Sequence, residues 1–165
     1  MSHLLYRGPS LQVLHEQYAK RGHIDERAAV TASHCVCIDA PPRQVWQVLS
    51  TAAAWPEVSP DISAVDLPGG VAPDAAFTWV NGSARINSQF AIVEPLRELT
   101  WTGASSGARA VHRNVLSPLN DHQTQLQSEE SMAGPLLTLF YNSNKLSSAL
   151  QGWLMAVKAA AERQP

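Results

Sequence analysis

PLLTLFYNSNKLSSALQGWLMAVKAAAER, residues 135–163, is the stretch around which the rest of the chain is organised. Read with a helical period, it sets Leu136, Leu139, Leu146, Leu150, Trp153, Val157 and Ala160 on one side, at steps of three, four and seven. Gly134-Pro135 supplies a start, because proline in a first helical turn forfeits no needed hydrogen bond. About 28 residues at 1.5 Å each make a rod about 42 Å long. A chain of 165 residues has room for such a rod only if something wraps around it. One position breaks the stripe: Ser143, between Asn142 and Asn144, stands where an apolar residue is due.

The wrapping element must come from the preceding hundred residues, which read as strands. Ala28–Ile38 is a first strand, and Asp39-Ala40-Pro41-Pro42 ends it. Arg43–Ser50 carries Val45, Trp46 and Leu49 at helical spacing, and Trp55-Pro56 opens a second short helix or turn. Six further strands follow: 62–67, 75–80, 85–94, 98–102, 109–117 and 122–132. Their punctuation is Pro68-Gly69-Gly70, Asn81-Gly82, Pro95-Leu96-Arg97, Gly103, Pro118-Leu119-Asn120-Asp121 and Gly134. Short strands on short turns make an antiparallel meander. Its apolar face needs a cover, and the long helix is the only element able to supply one.

Composition sets bounds on function. Hydrophobic residues make up 45% and charged residues 16%, so a sizeable core is expected in one folded domain. A net charge of −2 without a Lys/Arg block offers no footprint for nucleic acid. No apolar run approaches the ~20 residues of a membrane span, and the first eight residues lack a leader pattern. The expected location is therefore the cytoplasm. Cys35 and Cys37 are two apart, share a strand face and read as small strand residues, neither a metal pair nor a disulfide. His3, His15, His23, His34 and His122 have no metal-ligand spacing and read as surface or strand residues; no metal or cofactor motif is present. Residues 1–24 read as a helical extension to a domain at 25–165. Ser10 caps a helix that carries Leu11, Leu14 and Tyr18, and Gly22 ends it. Its apolar side is expected to pack either on the domain or on a second subunit, as a homodimer.

The order of elements comes with a recognisable set of residues: Ile38-Asp39-Ala40-Pro41-Pro42 with Val45-Trp46, then Trp55-Pro56, Trp101-Thr102-Gly103, His112, Glu129-Glu130-Ser131, Gly134 and the run from Leu154 to Glu162. In these the chain resembles the START-like, Bet v 1-like superfamily (SRPBCC), and within it the bacterial polyketide cyclase/dehydrase and lipid-transport group. The resemblance spans about residues 28–162. It implies an α+β helix-grip fold: a curved seven-stranded antiparallel sheet around the C-terminal helix, two short helices after the first strand, and an apolar cavity. It does not carry one chemistry, since a shared fold does not transfer a function.

Strand alternation then assigns faces. Phe77 and Trp79 share a face, as do Ser88 and Phe90, Leu99 and Trp101, His112 and Asn114, and Ser128 and Glu130. His112 belongs inside because the opposite face carries Arg109 and Arg113. The expected cavity is therefore aromatic and aliphatic, with Ser88, His112, Asn114, Ser128 and Glu130 as its polar groups, and Ser143 and Leu146 facing it from the helix. A site of this kind suits a hydrophobic small molecule such as a lipid, isoprenoid, quinone or polyketide. Entrance is expected near residues 55–60 and the strand turns. The alternative is a cyclase/dehydratase-type enzyme with His112 and Glu130 as acid/base pair, since a His–Glu pair can share a proton. The inward aromatic residues also fit a plain packed core, and the His–Glu pair a structural hydrogen bond. A partner-binding module is a third class, with only residues 10–21 in its favour.

Overall fold

A computed structural model describes residues 7–164; the reading of residues 1–6, His3 included, lies outside them. Seven strands form one antiparallel sheet in the order β1-β7-β6-β5-β4-β3-β2. They are β1 Val30–Ile38, β2 Ile62–Asp66, β3 Ala76–Asn81, β4 Ala84–Glu94, β5 Glu98–Ser105, β6 Ala108–Asn120 and β7 Gln123–Ala133. From β2 to β7 each strand pairs with the next in sequence, as a meander must, and β1 pairs with β7, Val30 opposite Met132 and Ile38 opposite Thr124. Helices α2 (Pro42–Ser50) and α3 (Trp55–Val58) follow β1, and α4 (Ser143–Glu162) lies in the curve of the sheet. This is the helix-grip α+β fold. Among the described residues, no helix is long and apolar enough to cross a membrane.

Strand β6 runs through Pro118, where the turn signal predicts an end. Its neighbour β5 begins at Glu98, opposite Val115, so beyond Leu116 one side of β6 has no strand to pair with. A residue without an N–H is tolerated on such an edge.

The long helix is shorter than its periodicity suggests. It begins at Ser143, with Asn142 as its cap: the Asn142 side chain accepts a hydrogen bond from the Lys145 N–H at 3.0 Å. Residues 135–142 form a loop with one tight turn, Leu137–Leu139. Leu136 and Leu139, the first two members of the stripe, are exposed. Thr138, Phe140 and Tyr141 are weak helix formers, and an Asn placed to cap takes the start further on. The buried stripe is Leu146, Leu150, Leu154, Val157 and Ala161. Ala160, the expected last member, is only half-buried.

The concave side of the sheet is filled at one end only. There Ile38, Val45, Leu49, Phe77, Phe90, Leu99, Leu116, Leu126, Leu154 and Val157 form the core. Trp55, fully buried, donates from Nε1 to the Leu49 carbonyl at 3.1 Å. Its ring lies 5.2–6.0 Å from those of Phe77, Trp79, Trp101 and Trp153, so α3 plugs the sheet with an aromatic cluster.

The convex side is covered by residues 10–25. Ser10 caps α1 (Leu11–Val13) through Val13 N–H, two tighter and wider turns continue to Arg21, and Gly22 ends the run at φ 70°. Leu14, Tyr18, Ala19 and Ile24 pack on Ala91 and Val111 of the chain's own sheet. His15, expected at the surface, is buried. Its Nδ1 meets Thr102 Oγ1 and its Nε2 meets Asp74 Oδ1, both at 2.9 Å. His34 is likewise more than a strand residue, since its Nε2 lies 2.6 Å from Ser147 Oγ and ties β1 to α4. Cys35 and Cys37 are free thiols on the outward face of β1, and both are exposed.

Candidate functional site

The other end of the concave side is hollow. A cavity of about 590 Å³ lies between β3–β7, the start of α4 and the 135–142 loop. Trp79, Trp101 and Trp153 form its apolar floor, with Ile86, Met132, Leu137, Leu146 and Leu150 around them. Its rim is Asp61 after α3, Gly82-Ser83 between β3 and β4, the 104–106 stretch at the β5–β6 turn, Phe140 and Ala149. Trp55 and Ser59, from the stretch expected at the entrance, also border the cavity. Gly103 keeps the wall open: a Cβ there would stand 3.0 Å from Ser88 Oγ and 3.1 Å from Ile86 Cγ2.

One polar cluster faces this space. His112 of β6 and Glu130 of β7 are directly paired across the sheet, and Nδ1 of the imidazole lies 2.8 Å from Oε2 of the carboxyl group. The imidazole stacks on the Trp101 indole, with centroids 4.4 Å apart and planes 7° from parallel. The Glu130 side chain keeps 16% of its surface exposed. Its Oε1 has no hydrogen-bond partner among the described residues and is available to a ligand. Tyr141, in the loop before α4, also borders the cavity; burial first, and the Glu130 charge second, raise its pKa. A carboxylate and a phenol therefore both border the cavity, whose mouth also carries Asp61, Asn81, Ser83, Ser105 and Ser106.

The twelve expected site residues divide into two groups. Trp79, Ser88, Trp101, His112, Glu130 and Leu146 border the cavity. Phe77, Phe90 and Leu99 do not: Phe77 and Phe90 stack at 4.3 Å within the packed end, and Leu99 is fully buried there. Asn114 and Ser128 lie behind the wall, fully buried, with Ser128 Oγ donating to Asn114 Oδ1 at 2.6 Å. Ser143 corrects the expectation most. Its Oγ accepts from the Thr31 backbone N–H of β1 at 3.1 Å, so the break in the helical stripe fastens the helix to the sheet edge, and Ser143 does not border the cavity. Glu130 and Tyr141 border the cavity instead.

Sequence reasoning missed Tyr141 and Trp153 as cavity residues. Tyr141 and Trp153 lie in the stretch read as one helix, where a packing role was the simpler expectation. Trp153 borders the cavity and donates from Nε1 to Asn114 Oδ1 at 3.2 Å. For an ion, the described residues offer one grouping of donor atoms, His15, Glu16 and Asp74, on the opposite face of the sheet. Lys20 already supplies the positive charge there, 2.9 Å from carboxylate oxygens of both Glu16 and Asp74.

The family model described as polyketide cyclase/dehydrase and lipid transport matches residues 27–162. The chain belongs to that family. No curated protein matches the sequence. Among solved structures, the chain is similar to the hypothetical protein jhp0584 of Helicobacter pylori, at 16% identity and a TM-score of 0.73, covering 82% of this chain and 90% of that one. It is similar to the ZhuI aromatase/cyclase of Streptomyces sp. R1128, at 17% identity and a TM-score of 0.64, covering 86% and 95%. It is also similar to a START superfamily protein of Mycobacterium smegmatis, at 14% identity and a TM-score of 0.63, covering 80% and 94%. At these identities the likeness is one of fold. The fold is common ground, and the particular chemistry belongs to this chain's own residues.

Proposed function

We propose that this protein binds a hydrophobic small molecule in the cavity, with the apolar body on Trp79, Trp101, Leu146 and Leu150 and a polar end at Glu130 and Tyr141. The observation that carries the reading is the wall itself: a cavity of about 590 Å³, within the size range of small-molecule sites, with an aromatic floor and His112, Glu130 and Tyr141 among its polar lining. The ligand class is a lipid, isoprenoid, quinone or polyketide with a hydroxyl or keto group at one end. Native mass spectrometry of protein purified from its own source tests this. A co-purifying apolar ligand is expected, and its loss is expected in Ala110→Phe, which puts a ring into the cavity beside His112. Failure of any hydrophobic ligand to bind, natural or from a panel of fluorescent fatty acids and polycyclic phenols, would sink the proposal.

A second reading, catalysis on a poly-keto substrate, is favoured by one observation, the 2.8 Å contact of His112 with Glu130 at the cavity wall. Such a pair moves a proton to or from an enolisable ketone, and a cavity that holds the chain folded lowers the entropic cost of ring closure. Turnover of a poly-β-keto substrate by the wild type, and a loss of about 10²–10⁴-fold in His112→Ala and Glu130→Gln, are expected of that reading. Equal binding with no turnover in any form leaves binding alone.

A further inference from the structure

We infer that Asn114 is a positioning residue: fixed by Trp153 and Leu99, it holds a proton on His112 Nε2, so that the His112–Glu130 pair carries a second proton between its two members. The amide has only one way to sit. The Trp153 indole N–H can only donate, and it points at Oδ1 from 3.2 Å. The Leu99 carbonyl can only accept, and it faces Nδ2 at 3.3 Å. Ser128 Oγ adds a second donor to Oδ1. The amide oxygen is therefore the atom turned toward His112 Nε2, 3.4 Å away. A bare imidazole nitrogen would set a lone pair against that oxygen, whereas an N–H makes a weak hydrogen bond with it. The hydrogen bond at one ring nitrogen decides the state of the other.

With a proton on Nε2, the 2.8 Å contact between Nδ1 and Glu130 Oε2 needs a proton of its own, on the ring or on the carboxyl. The pair thus meets its ligand loaded, either as imidazolium and carboxylate or as imidazole and carboxylic acid. The parallel Trp101 ring beneath His112 suits the imidazolium, because an indole face attracts positive charge. This deepens the reading of the cavity as a ligand site with an acid/base pair, and it assigns the pair its resting state. Trp153 connects that state to α4: the same side chain borders the ligand space and pins the amide.

The test needs no ligand, so its failure is separate from any failure of the ligand-binding reading. The full chain, labelled with ¹⁵N-histidine, is observed by imidazole ¹H–¹⁵N correlation at pH 7. His112 is expected to show a protonated-type Nε2, with the Nδ1 signal displaced toward the protonated position. An unprotonated Nε2 in the wild type overturns the inference outright, whatever the variants do. Asn114→Leu keeps the approximate shape and removes the oxygen. Nε2 is then expected to move to the unprotonated position, with the remaining proton on Nδ1 toward Glu130. Asn114→Asp returns an oxygen and is expected to return the protonated Nε2. A protonated Nε2 that persists in Asn114→Leu shows that another group holds the proton and ends the assignment to Asn114.

Discussion

Arg113→Met is expected to be among the most destabilising single changes on the outer face of the sheet. Arg113 grips Glu98 with two hydrogen bonds, Nε to Oε1 at 2.8 Å and Nη2 to Oε2 at 3.1 Å, and reaches Glu129 Oε1 from Nη1 at 2.8 Å. Hydrogen bonding to Glu98 is the main reason its pKa stands above the ordinary arginine value. The trio is covered by the N-terminal segment, and a Cβ added at Gly22 would come within 3.5 Å of the guanidinium. Glu98 is 4% exposed. Among the described residues, removing the cation leaves that carboxylate with only the Thr100 hydroxyl, 2.7 Å from Oε1. Breaking a buried pair from one side costs about 3–5 kcal/mol, because the remaining charge is stranded. At about 2–4 °C per kcal/mol for a chain of this size, the midpoint falls by about 6–20 °C.

Urea unfolding followed by tryptophan fluorescence measures the loss, with an unchanged slope required for the comparison. The decisive arm is Arg113→Met combined with Glu98→Gln, which removes the stranded charge and keeps an acceptor for Thr100. If the cost comes from the uncompensated carboxylate, the double variant is more stable than Arg113→Met alone. A loss below about 1 kcal/mol in the single variant would place the trio with ordinary surface pairs. A double variant weaker than the single one would also refute the reasoning.

Two glycines predict opposite signs for one substitution. Gly134→Ala puts a Cβ 2.9 Å from both Ala108 Cα and Gly107 O, immovable backbone atoms, and is expected to cost about 1–3 kcal/mol in a thermal melt. Gly152→Ala, within α4 and with nothing within 4 Å, is expected to gain about 0.5–1 kcal/mol in the same assay. Acid should loosen the N-terminal segment before the sheet. Hydrogen bonds from His15 and then Lys20 lower the Asp74 pKa below 3.8, so its contribution is complete above that pH and is lost as pH falls through the lowered value. Faster amide exchange at residues 11–23 at pH 3 than at pH 5, corrected for intrinsic rates and with the β6–β7 amides still protected, is the expected result. Tyr141→Phe removes the phenol from the cavity wall and should weaken a hydroxylated ligand several-fold, as about 0.5–1.5 kcal/mol for one hydrogen bond implies. Its effect on a purely apolar ligand should be small, as read by titration calorimetry.

The parts of this fold that were legible in the sequence are those with a strict period or a strong breaker. Alternation at Trp79, Ser88, Trp101, His112 and Glu130 put those residues on the concave face, and parity survives errors of a residue or two at strand ends. Alternation says which face a side chain takes and nothing about what stands opposite it. Phe77 and Trp79 have the same parity, yet one is packed under Trp55 and the other borders open space. The difference comes from α2 and α3, which fill one end of the curve, and no local pattern in β3 encodes where they dock. The loop before α4 was lost for a related reason. Leu136 and Leu139 continue the helical spacing by accident of a tight turn, while the capping bond of Asn142 decides the true start. That eight-residue displacement matters for function. It takes Ser143 off the cavity wall and fastens it to β1, and it leaves the preceding loop to bring Tyr141 to the cavity. The presence of Tyr141 at the cavity therefore depends on where a helix begins, and a cap, not the apolar stripe, determines that.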